Sequence, residues 1–254
     1  MTRIFITGST QGVGRNAAET LIAAGHEVVL HARNERSAKG VEALAAGALG
    51  IVTGDLGSLA ETRNLAKQLN SIGRMDAIIH NAGIIDDDRM MTEDGLLRVL
   101  MVNAIAPFLL STLASRPKRL IFTGSSMHHG HDQVLDDMNW TSRRWSGSSA
   151  YGESKLLGVA LANGLARGWP DVHCNSVDPG WVPTRMGGRA ASDDLNKAHM
   201  TQCWLATSSD AEACVSGVYW YHLRPQEPDP KVRDPKFQAE VLKRFAELTQ
   251  VSAG

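Results

Sequence analysis

Tyr151 and Lys155 stand four residues apart in Ala150-Tyr-Gly-Glu-Ser-Lys155. On a helix that spacing puts both side chains on one face, about one turn between them. An ammonium so placed favours a phenolate and draws a phenol pKa from about 10 toward neutrality. Such a phenol can give a proton to an oxygen or take one from it. The pair by itself is a weak signal, because helices carry Tyr and Lys freely and a surface contact has the same spacing. Two further stretches add to it. Arg119-Leu-Ile-Phe-Thr-Gly-Ser-Ser126 reads as a strand ending in two hydroxyls, and Asn103 lies in an apolar helical pattern four residues before Pro107. A poor helix former followed by a residue without a backbone donor implies a kink, and a kink frees a carbonyl to hold water. On these residues alone, a surface Asn on an ordinary bent helix remains the alternative.

A different chemistry is written at the start of the chain. Ile4, Phe5 and Ile6 form an apolar strand-type run, Gly8, Gly12 and Gly14 follow, and Asn16 to Ala24 has the composition of a helix. Glycines there allow a tight turn, close approach of backbone to phosphate and close packing of helix on strand. The helix start then offers unpaired N–H groups and a partial positive charge to a pyrophosphate. A second strand, Glu27-Val-Val-Leu-His31, ends near Arg33, with no acid at residues 31 to 34. An acid at that point would bind a ribose 2′-OH; Arg suits the 2′-phosphate of NADP.

The elements between these stretches alternate. Strands at Leu49 to Thr53, Asp76 to His80, 119 to 126 and Val172 to Val177 are separated by helices at Ser58 to Ser71, from Thr92 through Leu113, and from Ala150 through Leu165. This rhythm predicts an α/β fold: one doubly wound domain over 1–254, with a parallel sheet of about seven strands covered by helices on both faces. Asp55-Leu56 and Asn81-Ala-Gly83 fall at strand ends, on the edge where such sheets bind ligands. Residues 184 to 206 read as a mobile lid, Leu195 to Ala206 as one helix, and Val218 to His222 as a last strand. Four prolines in 224 to 235 predict an extended connection to a terminal helix at about 236 to 248.

With 26 basic and 27 acidic residues, the net charge of −1 indicates neither a nucleic-acid surface nor an acidic-membrane surface, and points to small-molecule partners. Cys174, Cys203 and Cys214 show no C-x-x-C spacing, polar Thr2 and Arg3 lead straight into a strand, and no apolar run approaches the ~20 residues of a membrane helix. A cytoplasmic protein is expected. His128, His129 and His131 crowd one loop, but neighbouring histidines rarely converge on one ion, so no metal is expected and the loop is read as substrate-side.

Taken in order, Thr7-Gly-x-x-x-Gly-x-Gly14, Asp55-Leu56, Asn81-Ala-Gly83, Asn103, Ser126, Tyr151-x-x-x-Lys155 and Asp178-Pro-Gly180 resemble the short-chain dehydrogenase/reductase family from residue 3 to about 222. The likeness is strongest to its retinol dehydrogenase and WW-domain oxidoreductase branch, in the long Ser-to-Tyr loop, the A-Y-x-x-S-K-L run, the P-G-W-V-x-T turn and the Arg after the second strand. The resemblance implies a Rossmann domain and a tetrad of Asn103, Ser126, Tyr151 and Lys155, with Ser126 chosen over Ser125. It implies cofactor contacts at Gly8, Ser9, Gln11, Gly12, Val13, Gly14, Arg33, Asp55, Leu56, Asn81, Ala82, Gly83, Tyr151, Lys155, Pro179, Gly180, Val182 and Thr184.

The implied activity is hydride transfer between NADP(H), with NAD second, and a carbonyl or alcohol, with Tyr151 as general acid or base; family habit implies a homodimer or homotetramer, while the Pro-rich tail is equally compatible with a monomer. A cofactor-binding regulatory protein without catalysis is the alternative, and a sugar-nucleotide epimerase a more distant one. His80 and Asp178 depart from the family pattern, which more often has Asn and a neutral residue or His at these places.

Overall fold

The protein is described by a computed structural model over residues 1–252. In chain order it forms β1 (Arg3–Ile6), α1 (Gly12–Ala23), β2 (Glu27–Ala32), α2 (Glu35–Lys39), α3 (Glu42–Ala45), β3 (Gly50–Thr53), α4 (Leu59–Ile72), β4 (Ala77–His80) and α5 (Arg98–Leu100). A π-helical turn at Met101–Ile105 leads into α6 (Ala106–Leu113), followed by β5 (Arg119–Thr123), α7 (Gly147–Gly168), β6 (His173–Asp178), α8 (Leu195–Ala198), α9 (Met200–Thr207), β7 (Tyr219–Tyr221), β8 (Arg224–Gln226) and α10 (Pro235–Thr249).

The strands lie in the order β3-β2-β1-β4-β5-β6-β7-β8. All neighbours pair parallel except β7 and β8. Central strands read as unbroken apolar runs because both faces are covered; Ile4, Phe5, Ile6, Ile78 and Ile79 are fully buried. Against one face pack α4, α6, α7 and α10, through Leu65, Leu69, Leu109, Leu161 and an edge-on contact of Phe108 with Phe245 at 5.7 Å. Against the other pack α1 and α9, through Ala17, Ala18, Leu21, Leu205 and Ala206. After β3 the chain crosses to the far side of β1, so the sheet reverses its winding between β1 and β4. A crevice opens at such a point beyond the carboxyl ends of the strands.

Four elements differ from the sequence-based expectation. The sheet has eight strands, since 224 to 226 turns back antiparallel to β7; Pro225 is tolerated because β8 is an exposed edge. The helix expected from Thr92 begins at Arg98, because Met91 and Leu97 form a bridge and the Thr92 hydroxyl accepts the Leu96 N–H. The kink expected between Asn103 and Pro107 takes the form of the π-helical turn, which leaves Pro107 in the first turn of α6 where a missing N–H is harmless. The helix expected over 195 to 206 breaks at His199. Among the described residues no helix is long and apolar enough to cross a membrane.

Gly14 packs helix against strand most closely. A Cβ there would lie 2.5 Å from the Gly8 carbonyl oxygen and closer still to the Asn81 amide. We predict that Gly14→Ala lowers stability by about 1–3 kcal/mol, the usual cost of overpacking, although Ala is the better helix former. Urea unfolding of the two proteins checks this.

Candidate active site

The glycine loop is held rigidly at the point of reversal. Gly8 has φ +65 and Gly12 φ +57, a region that side chains disfavour. The Asn81 amide donates to the carbonyls of Thr7 (3.0 Å) and Gly8 (3.4 Å), while the Thr7 hydroxyl accepts the Ala82 N–H. His31, buried at the end of β2, accepts the Gly8 N–H on Nδ1 and donates from Nε2 to the Gly54 carbonyl, each at 2.9 Å. Those partners require the neutral ring, and burial lowers its pKa. Sequence reading missed this role of His31, for a histidine in a strand carries no signal of it.

α1 begins on this loop with its N–H groups available. Gln11 caps it without a side-chain hydrogen bond, and the first turn contains no acid. With the positive-φ glycines, that end fits a pyrophosphate. The cleft beyond it, about 1490 Å³, is larger than the 300–1,000 Å³ common for a single small ligand. Gly8, Gln11, Gly12, Val13, Arg33, Asp55, Leu56, Asn81, Ala82, Gly83, Pro179, Gly180, Val182 and Thr184 all line it, as do Thr10 and Ser37, which sequence reading did not single out.

Ser9 and Gly14 do not line it. The Ser9 hydroxyl is turned inward to accept the His31 N–H at 2.8 Å, and Gly14 lies under the loop. Both glycine-loop residues serve its shape.

At the other end of the cleft, α7 carries Tyr151 and Lys155 into the wall formed by the ends of β5 and β6. The helix is anchored by Leu156, Leu157 and Leu161, all buried. Lys155 lies over the Tyr151 ring, 5.6 Å from its centroid, and donates to the Thr123 carbonyl at 2.8 Å. Burial lowers its pKa to about 8, against an opposing pull from the Asp178 carboxylate. Tyr151 moves the other way from the sequence expectation. Burial raises its pKa to about 12; a hydrogen bond with the Ser125 hydroxyl works against that rise, and the charge of Asp178 adds to it. The ammonium faces the ring and Thr123, and desolvation of the phenol prevails.

Ser125, not Ser126, meets Tyr151. The strand ends at Thr123, and Ser126 opens a short 3₁₀ turn with its side chain exposed. Both serines line the cleft. Asn103 sits in the π-helical turn, off the cleft wall. Its side chain pairs with both backbone groups of Ile84 and with the Ser154 hydroxyl, each at 2.8–2.9 Å.

The histidines do not converge. His128 is fully buried, donates from Nδ1 to the Ser125 carbonyl at 2.6 Å and accepts the Asp229 N–H on Nε2 at 2.9 Å. His131 bonds the Met127 carbonyl, and His129 alone reaches the cleft. Among the described residues no three His, Cys, Asp or Glu side chains are disposed to hold a metal ion. His80, buried in β4, bonds the Ser111 hydroxyl at 2.9 Å and lies against Phe122, away from the cleft.

Comparison with known proteins agrees with this arrangement. The family model described as enoyl-(acyl carrier protein) reductase matches residues 8–220. Short-chain dehydrogenase chry4 of Gibberella zeae is 37% identical over 255 residues, covering 99% of this chain and 98% of its own. Short-chain dehydrogenase chyC of Penicillium rubens is 38% identical with the same coverage. Human retinol dehydrogenase 13 is 28% identical, over 98% of this chain and 85% of its own. A solved structure from Mycobacterium paratuberculosis shares the fold at a TM-score of 0.86 and 23% identity, covering 100% of this chain and 95% of its own. Another, a blue fluorescent protein from a metagenomic library in complex with NADPH, does so at 0.70 and 23%, over 87% and 95%. A glycine loop at the reversal of the sheet, a Tyr-Lys pair across the cleft from it, and relatives alike over nearly their whole length lead to one conclusion: the chain belongs to the short-chain dehydrogenase/reductase family of NAD(P)-dependent oxidoreductases.

Proposed function

We propose that this enzyme transfers hydride between NADP(H) and a carbonyl or alcohol, with Tyr151 as the proton donor or acceptor. The observation that carries the reading is a half-buried Tyr151, hydrogen-bonded by the Ser125 hydroxyl and with the Lys155 ammonium against its ring, on the wall of the cleft that begins at the glycine loop. Gly8, Gly12 and the open start of α1 hold the pyrophosphate; Arg33, with Ser37 beside it on the cleft wall, takes the 2′-phosphate. Nicotinamide, when bound, supplies or accepts the hydride.

The side chains divide the remaining work. Tyr151, neutral with a pKa pushed up to about 12, is suited to donate its proton to a carbonyl oxygen. Ser125 hydrogen-bonds the same oxygen and stabilises its developing charge. Lys155 holds the nicotinamide ribose and, through the Asn103 carbonyl and a water, the proton supply. A retinol dehydrogenase among the relatives is in line with an alcohol or carbonyl substrate, and a neighbour solved with NADPH with the choice of cofactor.

Assay of aldehydes, ketones, steroids and alcohols with NADPH and NADH tests the activity; a preference for NADH, or turnover of no substrate, overturns it. Three predictions refine it. Tyr151→Phe lowers kcat for carbonyl reduction by about 10²–10⁴, and Ser125→Ala by about 10²–10³, whereas Ser126→Ala changes it by less than about threefold, since only the former hydroxyl touches the phenol. Arg33→Ala raises KM for NADPH about tenfold, the worth of a charged hydrogen bond, and leaves KM for NADH nearly unchanged. The pH dependence follows from Lys155: kcat/KM for reduction holds below its pKa of about 8 and falls above it as the ammonium is lost. A rate rising through pH 9 contradicts that assignment.

A further inference from the structure

Asp178 is a charged residue of this wall that the proposed chemistry does not use. It ends β6, one residue past Val177, which pairs with Thr123, the residue whose carbonyl holds Lys155. Its carboxylate is buried yet reaches the cleft. One oxygen accepts the Gly180 N–H at 2.9 Å, and the other accepts the Tyr219 hydroxyl at 3.1 Å. Tyr219 is itself fixed, its ring tilted against His128 at 4.7 Å between centroids and closed against Gly124, where a Cβ would lie 2.7 Å from it. His128 is pinned between Ser125 and Asp229. The carboxylate therefore has a set position and cannot swing into water to be screened.

An anchored negative charge in a partly desolvated cleft discriminates between ligands by charge. Resting on the function proposed above, the relevant pair is the two forms of the cofactor. Carbonyl reduction moves a hydride to the carbonyl carbon and a proton from Tyr151 to the oxygen, and leaves the nicotinamide with one positive charge. Beside Asp178 the wall carries the Lys155 ammonium of α7 and the neutral phenols of Tyr151 and Tyr219, and the segment after β6 adds Arg185 and Asp193, the latter held by the Trp181 N–H. Lys155 opposes a cationic ring, and Asp178 offsets Lys155.

We propose that Asp178, fixed by Tyr219 and Gly180, makes this site favour the oxidised, cationic nicotinamide over the reduced, neutral one and so draws the equilibrium between enzyme-bound reactants toward oxidised cofactor and alcohol.

The test is a pair of binding titrations with NADP⁺ and NADPH, by calorimetry and by nicotinamide fluorescence, on the parent protein, Asp178→Asn and Asp178→Glu. Asp178→Asn, a neutral near-isostere, is expected to raise the ratio of Kd for NADP⁺ to Kd for NADPH by about tenfold; Asp178→Glu, which keeps the charge, is expected to hold the ratio within about twofold. A purely structural role for Asp178 would weaken both dinucleotides together and leave the ratio alone. Should Asp178→Asn fail to fold, Asp178→Ser, which retains an acceptor for the Gly180 N–H, carries the same comparison. An unchanged ratio in a neutral variant that binds both dinucleotides overturns the role of Asp178 and leaves the proposed function standing. If the parent protein binds neither dinucleotide, the proposed function falls and this inference with it.

Discussion

A lysine buried to 3% exposure is an expensive thing to keep charged, and the site is built around doing so. The Lys155 ammonium has one hydrogen bond, to the Thr123 carbonyl at the end of β5, and one carboxylate acting on it, from the end of β6. Those two supports are placed by the β5–β6 register, in which Thr123 faces Val177. The lysine reaches them only because α7 lies flat on the sheet, its Leu156, Leu157 and Leu161 buried. Helix packing, strand register and the charge of one side chain are thus a single problem. The same desolvation that pulls Lys155 down to about 8 pushes Tyr151 up to about 12, so proton donor and cation emerge together from one act of burial.

Around that centre, polar side chains take the place of regular structure. His31 from β2 and Asn81 just past β4 brace the glycine loop, and the Thr7 hydroxyl within it accepts the Ala82 N–H. On the opposite side, the irregular stretch between β5 and α7 is stapled to the helix by Glu153, which accepts Trp140 Nε1 at 2.8 Å and both ends of the Arg143 guanidinium at 2.7 and 2.9 Å. Arg143 also covers the Trp140 ring at 4.0 Å. Glu153 lies between Tyr151 and Lys155 in sequence and faces away from the cleft, so one helical turn holds the loop with one face and presents chemistry with another. A buried, bidentate pair of this kind specifies geometry more than it adds stability.

Where the sequence was hard to read, a local rule met a tertiary one. Ser125 and Ser126 are the same residue type side by side, and only the point at which β5 releases the chain decides which hydroxyl meets Tyr151. Pro107 correctly announced an irregular helix, but the irregularity moved upstream to Asn103, whose amide finds better partners in Ile84 and Ser154 than on the surface. Ser9 belongs to the glycine motif by position and to the fold by contact, since its hydroxyl satisfies the His31 N–H. Pro225 spoke against a strand, and an exposed edge accommodated it.

The amino-acid sequence by itself determined the order of strands and helices, the phosphate-binding turn and the Tyr-Lys pair, because each depends on residues within a few positions of one another: apolar runs, glycine spacing and the helical repeat. Tertiary structure alone decided which hydroxyl lies toward Tyr151, in which direction burial moves the phenol's pKa, and what Asp178 faces. Those outcomes depend on desolvation and on charges brought together from β5, β6, β7 and α7, over sequence separations at which no local pattern carries information.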